Sequence, residues 1–311
     1  MFRQVLRESK PSVQLLFSAI ILITCGLLIT ALGLAFGRVI YGVNLSEIEQ
    51  MMQDLSKPEN ISVLKFFQTI QSIGVFIVPP LIIAWMLHGK PSVYLKYNIR
   101  PELVSVVVVI AIIFFSNPLI NWLNEINSKL SFPGWLNSLE VWMKNSENQA
   151  NKITEAFLAD TSVASLLKNI VMIGVLPAIG EELLFRGVVQ RLFKKIYGNA
   201  HAAIWITAAL FSALHLQFFG FLPRMILGAM FGYMLEWSGT LWLPIIGHFV
   251  NNSAAVIAFY LTRKGNLDTA VLDKTGTLAD GSFYLVLVSL IFLFVFFRIL
   301  YLKRLTETAT D

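Results

Sequence analysis

Long apolar stretches alternate along this chain with short polar connections, and most are long enough to cross a bilayer. A helix needs ~20 mostly apolar residues to span the hydrocarbon layer. Runs of that kind fall near 12–37, 62–87, 101–123, 162–190, 200–216, 221–237, 241–262 and 282–303. The pattern predicts an all-α, polytopic membrane protein of about eight transmembrane helices, forming a single membrane domain over 1–311. The fifth and sixth runs are short and separated only by 216–221, so they read as a hairpin buried against other helices. Irregular backbone at depth is tolerated only where protein or a cavity lines it. Pro79-Pro80 and Asn117-Pro118 predict kinks in the second and third spans, because proline removes a backbone donor.

Two connections carry helical patterns of their own. Ser46 and Glu49 have capping-box spacing, and Ile48, Met51, Met52 and Leu55 follow at helical intervals. Trp135, Leu139 and Trp142 make a similar stripe between the third and fourth spans. Both predict short interfacial helices on the membrane surface, with Trp at headgroup level.

Composition sharpens this picture. Hydrophobic residues make up 56% of the 311 and charged residues only 14%, with a mean hydropathy of +0.68. Soluble domains carry ~25% charged residues, so the lipid bilayer must solvate much of this chain. The one cysteine, Cys25, lies in an apolar run and excludes a disulfide, a cysteine-based zinc site and an iron–sulfur cluster. The formal charge of +5 fits membrane anchoring and not nucleic-acid binding. Basic residues gather at Arg3, Arg7 and Lys10, at Lys90, Lys96 and Arg100, at Arg191, Lys194 and Lys195, and at Arg298, Lys303 and Arg304. With eight spans these segments share one side, which predicts both termini in the cytoplasm. The first apolar run is too long for a signal-peptide core and reads as a retained span.

Polar residues inside the apolar runs are the candidates for chemistry, since an ionisable group at mid-bilayer costs at least ~2.5 kcal/mol. The densest set is Glu181-Glu182-Leu183-Leu184-Phe185-Arg186 in the fourth span. Glu182 and Arg186 are four apart and share a helix face, so they can pair. Glu181 lies about 100° around the helix from Glu182. It is the carboxylate left without a local partner, which suits a general base or acid. His215 follows Phe211 by one turn, and His248 precedes Asn252 by one turn. Counting ~1.5 Å per residue from the span edges puts Glu181, His215 and Asn252 roughly 15–22 Å deep and His248 near ~10 Å. Four polar side chains from three helices thus fall in one layer.

Glu-Glu-x-x-x-Arg at 181–186, Phe-x-x-x-His at 211–215 and His-x-x-x-Asn at 248–252, in this order, resemble the three motifs of the CPBP family of CAAX proteases and bacteriocin-processing enzymes. The likeness covers about a hundred residues and marks 162–262 as a protease-motif core. It implies an intramembrane endopeptidase, glutamate- or metal-dependent, that acts on a membrane-associated peptide or membrane protein. By that resemblance Glu181 and His215 activate water, His248 and Asn252 stabilise the oxyanion, and Glu182 with Arg186 holds the geometry. The cofactor is left open. Glu181, His215 and His248 are adequate ligands for a divalent metal such as zinc, but the HExxH spacing of soluble zinc proteases is absent.

Other readings compete with this one. Intramembrane Glu, His and Arg also serve transporters and proton-coupled channels, although here they cluster in spans four to seven and not in two matching halves. A non-catalytic immunity-type membrane protein would keep the fold without cutting its partner. Taken alone, Glu182–Arg186 is equally a structural ion pair, and Asn252 is equally interhelical glue. His201 reads as interfacial. Asp273-Lys274-Thr275-Gly276-Thr277 resembles the phosphorylation signature of P-type pumps, which need cytoplasmic domains this chain has no room for. Gly228 and Gly232 form a GxxxG that reads as close helix packing.

Overall fold

The computed structural model describes residues 2–268 and 274–310. Its main helices are α1 (Phe2–Glu8), α2 (Pro11–Tyr41), α3 (Leu45–Gln53), α4 (Pro58–His88), α5 (Leu103–Ser128), α6 (Asn137–Leu158), α7 (Val163–Tyr197), α8 (Ala200–Ala213), α9 (Phe221–Ser238), α10 (Trp242–Arg263) and α11 (Tyr284–Thr310). There is no strand among the described residues. The chain is a polytopic all-α membrane protein. Among the described residues seven helices are long and apolar enough to cross a membrane: α2, α4, α5, α7, α9, α10 and α11.

The eighth expected span is α8, and it is short. Its 14 residues reach ~21 Å at ~1.5 Å per residue, against a hydrocarbon core of ~30 Å. The chain then leaves the helix in a loop at 214–220. Leu216 there has a φ of 54°, a left-handed conformation uncommon for a side chain of its size. Buried Asn127 of α5 satisfies the loop backbone, donating to the Phe218 carbonyl at 2.8 Å and accepting from Leu222 N–H at 3.0 Å. Glu147 of α6 accepts from Phe219 N–H at 2.9 Å. Side-chain partners of this kind are what irregular backbone requires away from water.

The second span absorbs its prolines by widening. Proline has no N–H and crowds the carbonyl four residues earlier. The turn before Pro79-Pro80, Ser72–Ile77, is π-helical, with Val78 N–H bonded to the Ile73 carbonyl five residues back. Ile170–Val175 does the same ahead of Pro177, with Leu176 N–H bonded to Val171. A third π-helical turn, Phe185–Gln190, begins three residues after Glu182. Pro118 lies inside the continuous α5.

One expectation about the connections needs correction. The capping box of α3 begins at Asn44, whose N–H bonds the Glu47 carboxylate at 2.9 Å, and not at Ser46 with Glu49. Both quartets satisfy the spacing, and the chain takes the earlier one. Both connecting helices also pack their inner faces against the bundle. Ile48, Met52 and Leu55 pack against buried Leu64, Phe157 and Met172, joining α3 to α4, α6 and α7. On α6, Leu139 and Trp142 stay exposed while Met143 and Phe157 turn inward. Gln149 of the same helix donates to the Met52 carbonyl at 2.9 Å.

Two apolar clusters bracket the site. Ile83, Leu95, Leu192 and Leu241 anchor one. Ile112, Phe231, Met234, Leu243 and Val286 anchor the other, where α5, α9, α10 and α11 meet. α2 is peripheral: Leu16, Ile20, Ile23 and Leu27 are exposed along one face, as lipid contact requires. The Lys274–Thr277 part of the pump-like segment belongs to the α10–α11 connection, where Asn121 of α5 donates to the Thr275 carbonyl at 3.0 Å. Asp273 lies outside the described residues.

Candidate active site

α7 supplies the charged centre. Arg186 Nη1 and Glu182 Oε1 are 2.9 Å apart and both side chains are fully buried. The four-residue spacing that puts them on one face delivers this contact. Arg186 Nη2 donates to the Gly228 carbonyl of α9 at 2.8 Å. Its guanidinium sits 4.7 Å from the Phe211 ring centre and 5.4 Å from that of Phe231. Gly228 makes room for this. A Cβ there would come within 3.3 Å of the Ala208 backbone on α8, so the GxxxG stripe serves close packing inside the bundle.

Glu182 has a second partner that the sequence did not reveal. His248 Nδ1 of α10 lies 2.9 Å from Glu182 Oε1, the oxygen that also receives Arg186. The imidazole stacks on Phe231 with ring centres 5.1 Å apart. An ionised carboxylate only accepts, so His248 donates through Nδ1–H and its Nε2 is the free nitrogen. That Nε2 is 3.8 Å from Glu181 Oε2, an oxygen buried without a hydrogen-bond partner. His215 is oriented by the same logic. Its Nδ1 donates to the Phe211 carbonyl at 2.7 Å, leaving Nε2 as the acceptor of the neutral ring.

Asn252 faces α7 across the same space. Its Nδ2 donates to the Ile173 carbonyl at 3.0 Å. Pro177, four residues beyond Ile173, has no N–H to offer that carbonyl, so α10 supplies the donor. Asn251 donates to Asn252 Oδ1 at 3.1 Å, fixing the amide orientation.

Glu181, His215, His248 and Asn252 all line one cavity of about 740 Å³. Glu182 and Arg186 stand behind its wall. α6 contributes Ala150, Ile153 and Thr154, and the α8–α9 loop contributes Gln217 and Gly220. Arg224 of α9 also reaches this cavity, held by Gln217 Oε1 at 2.6 Å. Sequence inspection missed Arg224, Asn251 and the Glu182–His248 bond. Arg224 sits in a short apolar run and could have been flagged as an intramembrane charge. The other two depend on how α7 and α10 approach and leave no mark in spacing.

The candidate metal set of Glu181, His215 and His248 does not assemble as one. Among the described residues no three His, Cys, Asp or Glu side chains come together as an ion-holding group. Each histidine has one nitrogen committed, His248 Nδ1 to Glu182 and His215 Nδ1 to the Phe211 carbonyl. What the arrangement offers is an unpartnered carboxylate oxygen and two imidazole Nε2 atoms around a polar cavity.

Residues 163–254 match the family model described as Type II CAAX prenyl endopeptidase Rce1-like. Over 114 residues the chain is 30% identical to the uncharacterized protein YpbD of Bacillus subtilis, a stretch that covers 35% of this chain and 56% of that relative. The chain thus spans little more than half the length of the curated relative it matches. No solved structure matches. The matched stretch contains all three motifs and most of the helical wall of the cavity, and the match supports the likeness of this core to the CPBP family.

Proposed function

We propose that this protein is an intramembrane endopeptidase that hydrolyses a peptide bond of a membrane-associated substrate, of the CAAX-like or bacteriocin-precursor class. The observation that carries the reading is the meeting of four motif side chains around one cavity, with a Glu181 oxygen left unpartnered beside a histidine. A water held by Glu181 and His215 Nε2 loses a proton to the carboxylate as its oxygen attacks the scissile carbonyl. The developing oxyanion is met by the second N–H of the Asn252 amide, beside the His248 ring that Glu182 fixes. Stabilisation of this kind usually supplies the largest catalytic term. When the intermediate collapses, Glu181 returns the proton to the leaving amine and the C–N bond breaks.

Glu182 has a positioning role in this scheme. Its carboxylate fixes the His248 ring, and Arg186 holds that carboxylate in place. Arg224 on the cavity wall gives the substrate's negative end a partner, which suits a peptide carrying a nearby carboxylate. The orientation that best fits the basic segments places both termini in the cytoplasm. The test is co-expression with membrane-anchored peptide precursors and mass spectrometry of the products. Cleavage that disappears with Glu181→Gln supports the reading. Unaltered substrates across the panel, with the partner still co-purifying, favour a non-catalytic binding protein.

A further inference from the structure

Arg186 has a second side, facing a separate cavity of about 390 Å³ farther along α7. Three buried polar atoms without partners belong to residues of its wall: Tyr94 Oη, Gln190 Oε1 and Arg186 Nε. Tyr94 is 3% exposed and Gln190 4%. Buried polar groups are nearly always partnered, so three orphans around one hollow mark a place built for a polar occupant.

The charge around the hollow gives the occupant's sign. Lys96, Arg191, Lys194 and Lys195 line it against a single carboxylate, Glu236. Glu236 is already engaged by Lys194 at 2.6 Å and by Arg304 at 3.4 Å. Arg191 is locked over the Tyr94 ring, 4.2 Å from its centre, and bonds the Tyr94 carbonyl. Lys96 holds a left-handed backbone, φ 61°, with its carbonyl accepting from Leu241 N–H at 3.1 Å. Strained backbone of this kind persists where surrounding contacts fix it, commonly at ligand sites.

We propose that this basic cavity binds a phosphate-bearing anion, at a site distinct from the catalytic one. A phosphate offers several strong acceptor oxygens to the lysines, to Arg191 and to the Tyr94 hydroxyl, and a glycerol headgroup carries a hydroxyl that can donate to Gln190 Oε1. Burial holds the Lys96 ammonium below its ordinary pKa; Glu236 counters this, while Arg191, Arg304 and Lys194 add to it. A bound anion relieves that cost. The basic helix ends fit a lipid headgroup supplied by the membrane, and the same chemistry would accept soluble phosphate. The site is independent of the hydrolytic reading, though Arg186 lines this cavity and stands behind the wall of the other.

The test follows thermal unfolding of the detergent-purified full chain, titrated with short-chain phosphatidylglycerol, short-chain phosphatidylcholine or inorganic phosphate. Phosphatidylglycerol is expected to raise Tm saturably. Lys195→Gln should weaken the apparent affinity about fivefold, the effect of one basic residue near an anionic headgroup. Lys195 is exposed, so this variant should fold normally. Tyr94→Phe, which keeps the ring beneath Arg191, should also weaken binding. Lys10→Gln with Lys90→Gln removes exposed charge outside the cavity and should change nothing. The same variant pattern with inorganic phosphate would identify a soluble anion as the source. Equal binding by wild type and Lys195→Gln, equal loss in the Lys10/Lys90 control, or an equal variant-independent response to phosphatidylcholine would overturn the site.

Discussion

His248 and Arg186 meet on one oxygen: each lies 2.9 Å from Glu182 Oε1, so a single buried carboxylate joins an ion pair on α7 to an imidazole on α10. Glu182 therefore links helix packing to the chemistry of the cavity, whereas Glu181 is left free to face it.

Glu182→Gln should damage the fold first. Removing one member of a buried pair costs ~3–5 kcal/mol, because the remaining charge is uncompensated. Glu181→Gln deletes no hydrogen bond seen at Oε2 and should leave stability within about 1 kcal/mol of wild type. Membrane accumulation and Tm in detergent compare the two. Equal losses, or an inactive Glu182→Gln at full stability, would reverse the division of roles.

Asn127→Ala should loosen the α8–α9 loop without touching the motifs. It strands the Leu222 N–H, at ~1–3 kcal/mol if left unpaired, and removes one of the two donors to the Phe218 carbonyl. Hydrogen exchange at 216–222 should rise sharply relative to α10. Unchanged protection there would mean that the loop is held by something other than Asn127.

The loop shows where sequence reading ends. Seven of the eight predicted spans could be located because a bilayer demands long apolar runs, and the position of Glu182 opposite Arg186 follows from helix periodicity. The short fifth run and the break near 216–221 were legible, but the support of that loop was not: it comes from Asn127 and Glu147 on distant helices. The Glu182–His248 contact escaped for a similar reason, since Arg186 alone seemed to account for Glu182. The three motifs were enough to indicate the family, but not the Pro177–Ile173–Asn252 arrangement, in which a missing N–H on one helix recruits an amide from another.

Asn252 gives a sharper test of the oxyanion role. Asn252→Ala should lower turnover by ~10²–10³ with little change in KM. Asn252→Asp also removes the donor to the Ile173 carbonyl, so it should be at least as impaired at neutral pH. An active Asp variant whose activity a chelator abolishes would point to a metal ligand instead, since a carboxylate binds zinc better than an amide.

Glu140 ties the 129–136 connection to α6, which covers the cavity. Its carboxyl is held below the usual range by the Lys144 ammonium at 2.7 Å and by Phe132 N–H at 2.9 Å. A depressed carboxylate contributes its hold above the ordinary value and loses it as pH falls through the lowered one. Exchange protection at the Phe132 amide, corrected for intrinsic rates, should persist through the ordinary carboxylate range and be lost only as pH falls below it. Glu140→Gln should lack it throughout. Protection that is flat with pH would contradict this role.

The most direct measurement is cleavage of a membrane-embedded peptide in proteoliposomes made with H₂¹⁸O, comparing wild type with Glu181→Gln. Wild type should yield products whose new carboxyl carries one ¹⁸O, and Glu181→Gln, equally folded, should lose at least ~10²-fold in kcat with KM nearly unchanged. Cleavage by Glu181→Gln at the wild-type rate would contradict the proposed site, because water activation would then not depend on the carboxylate left free beside His248.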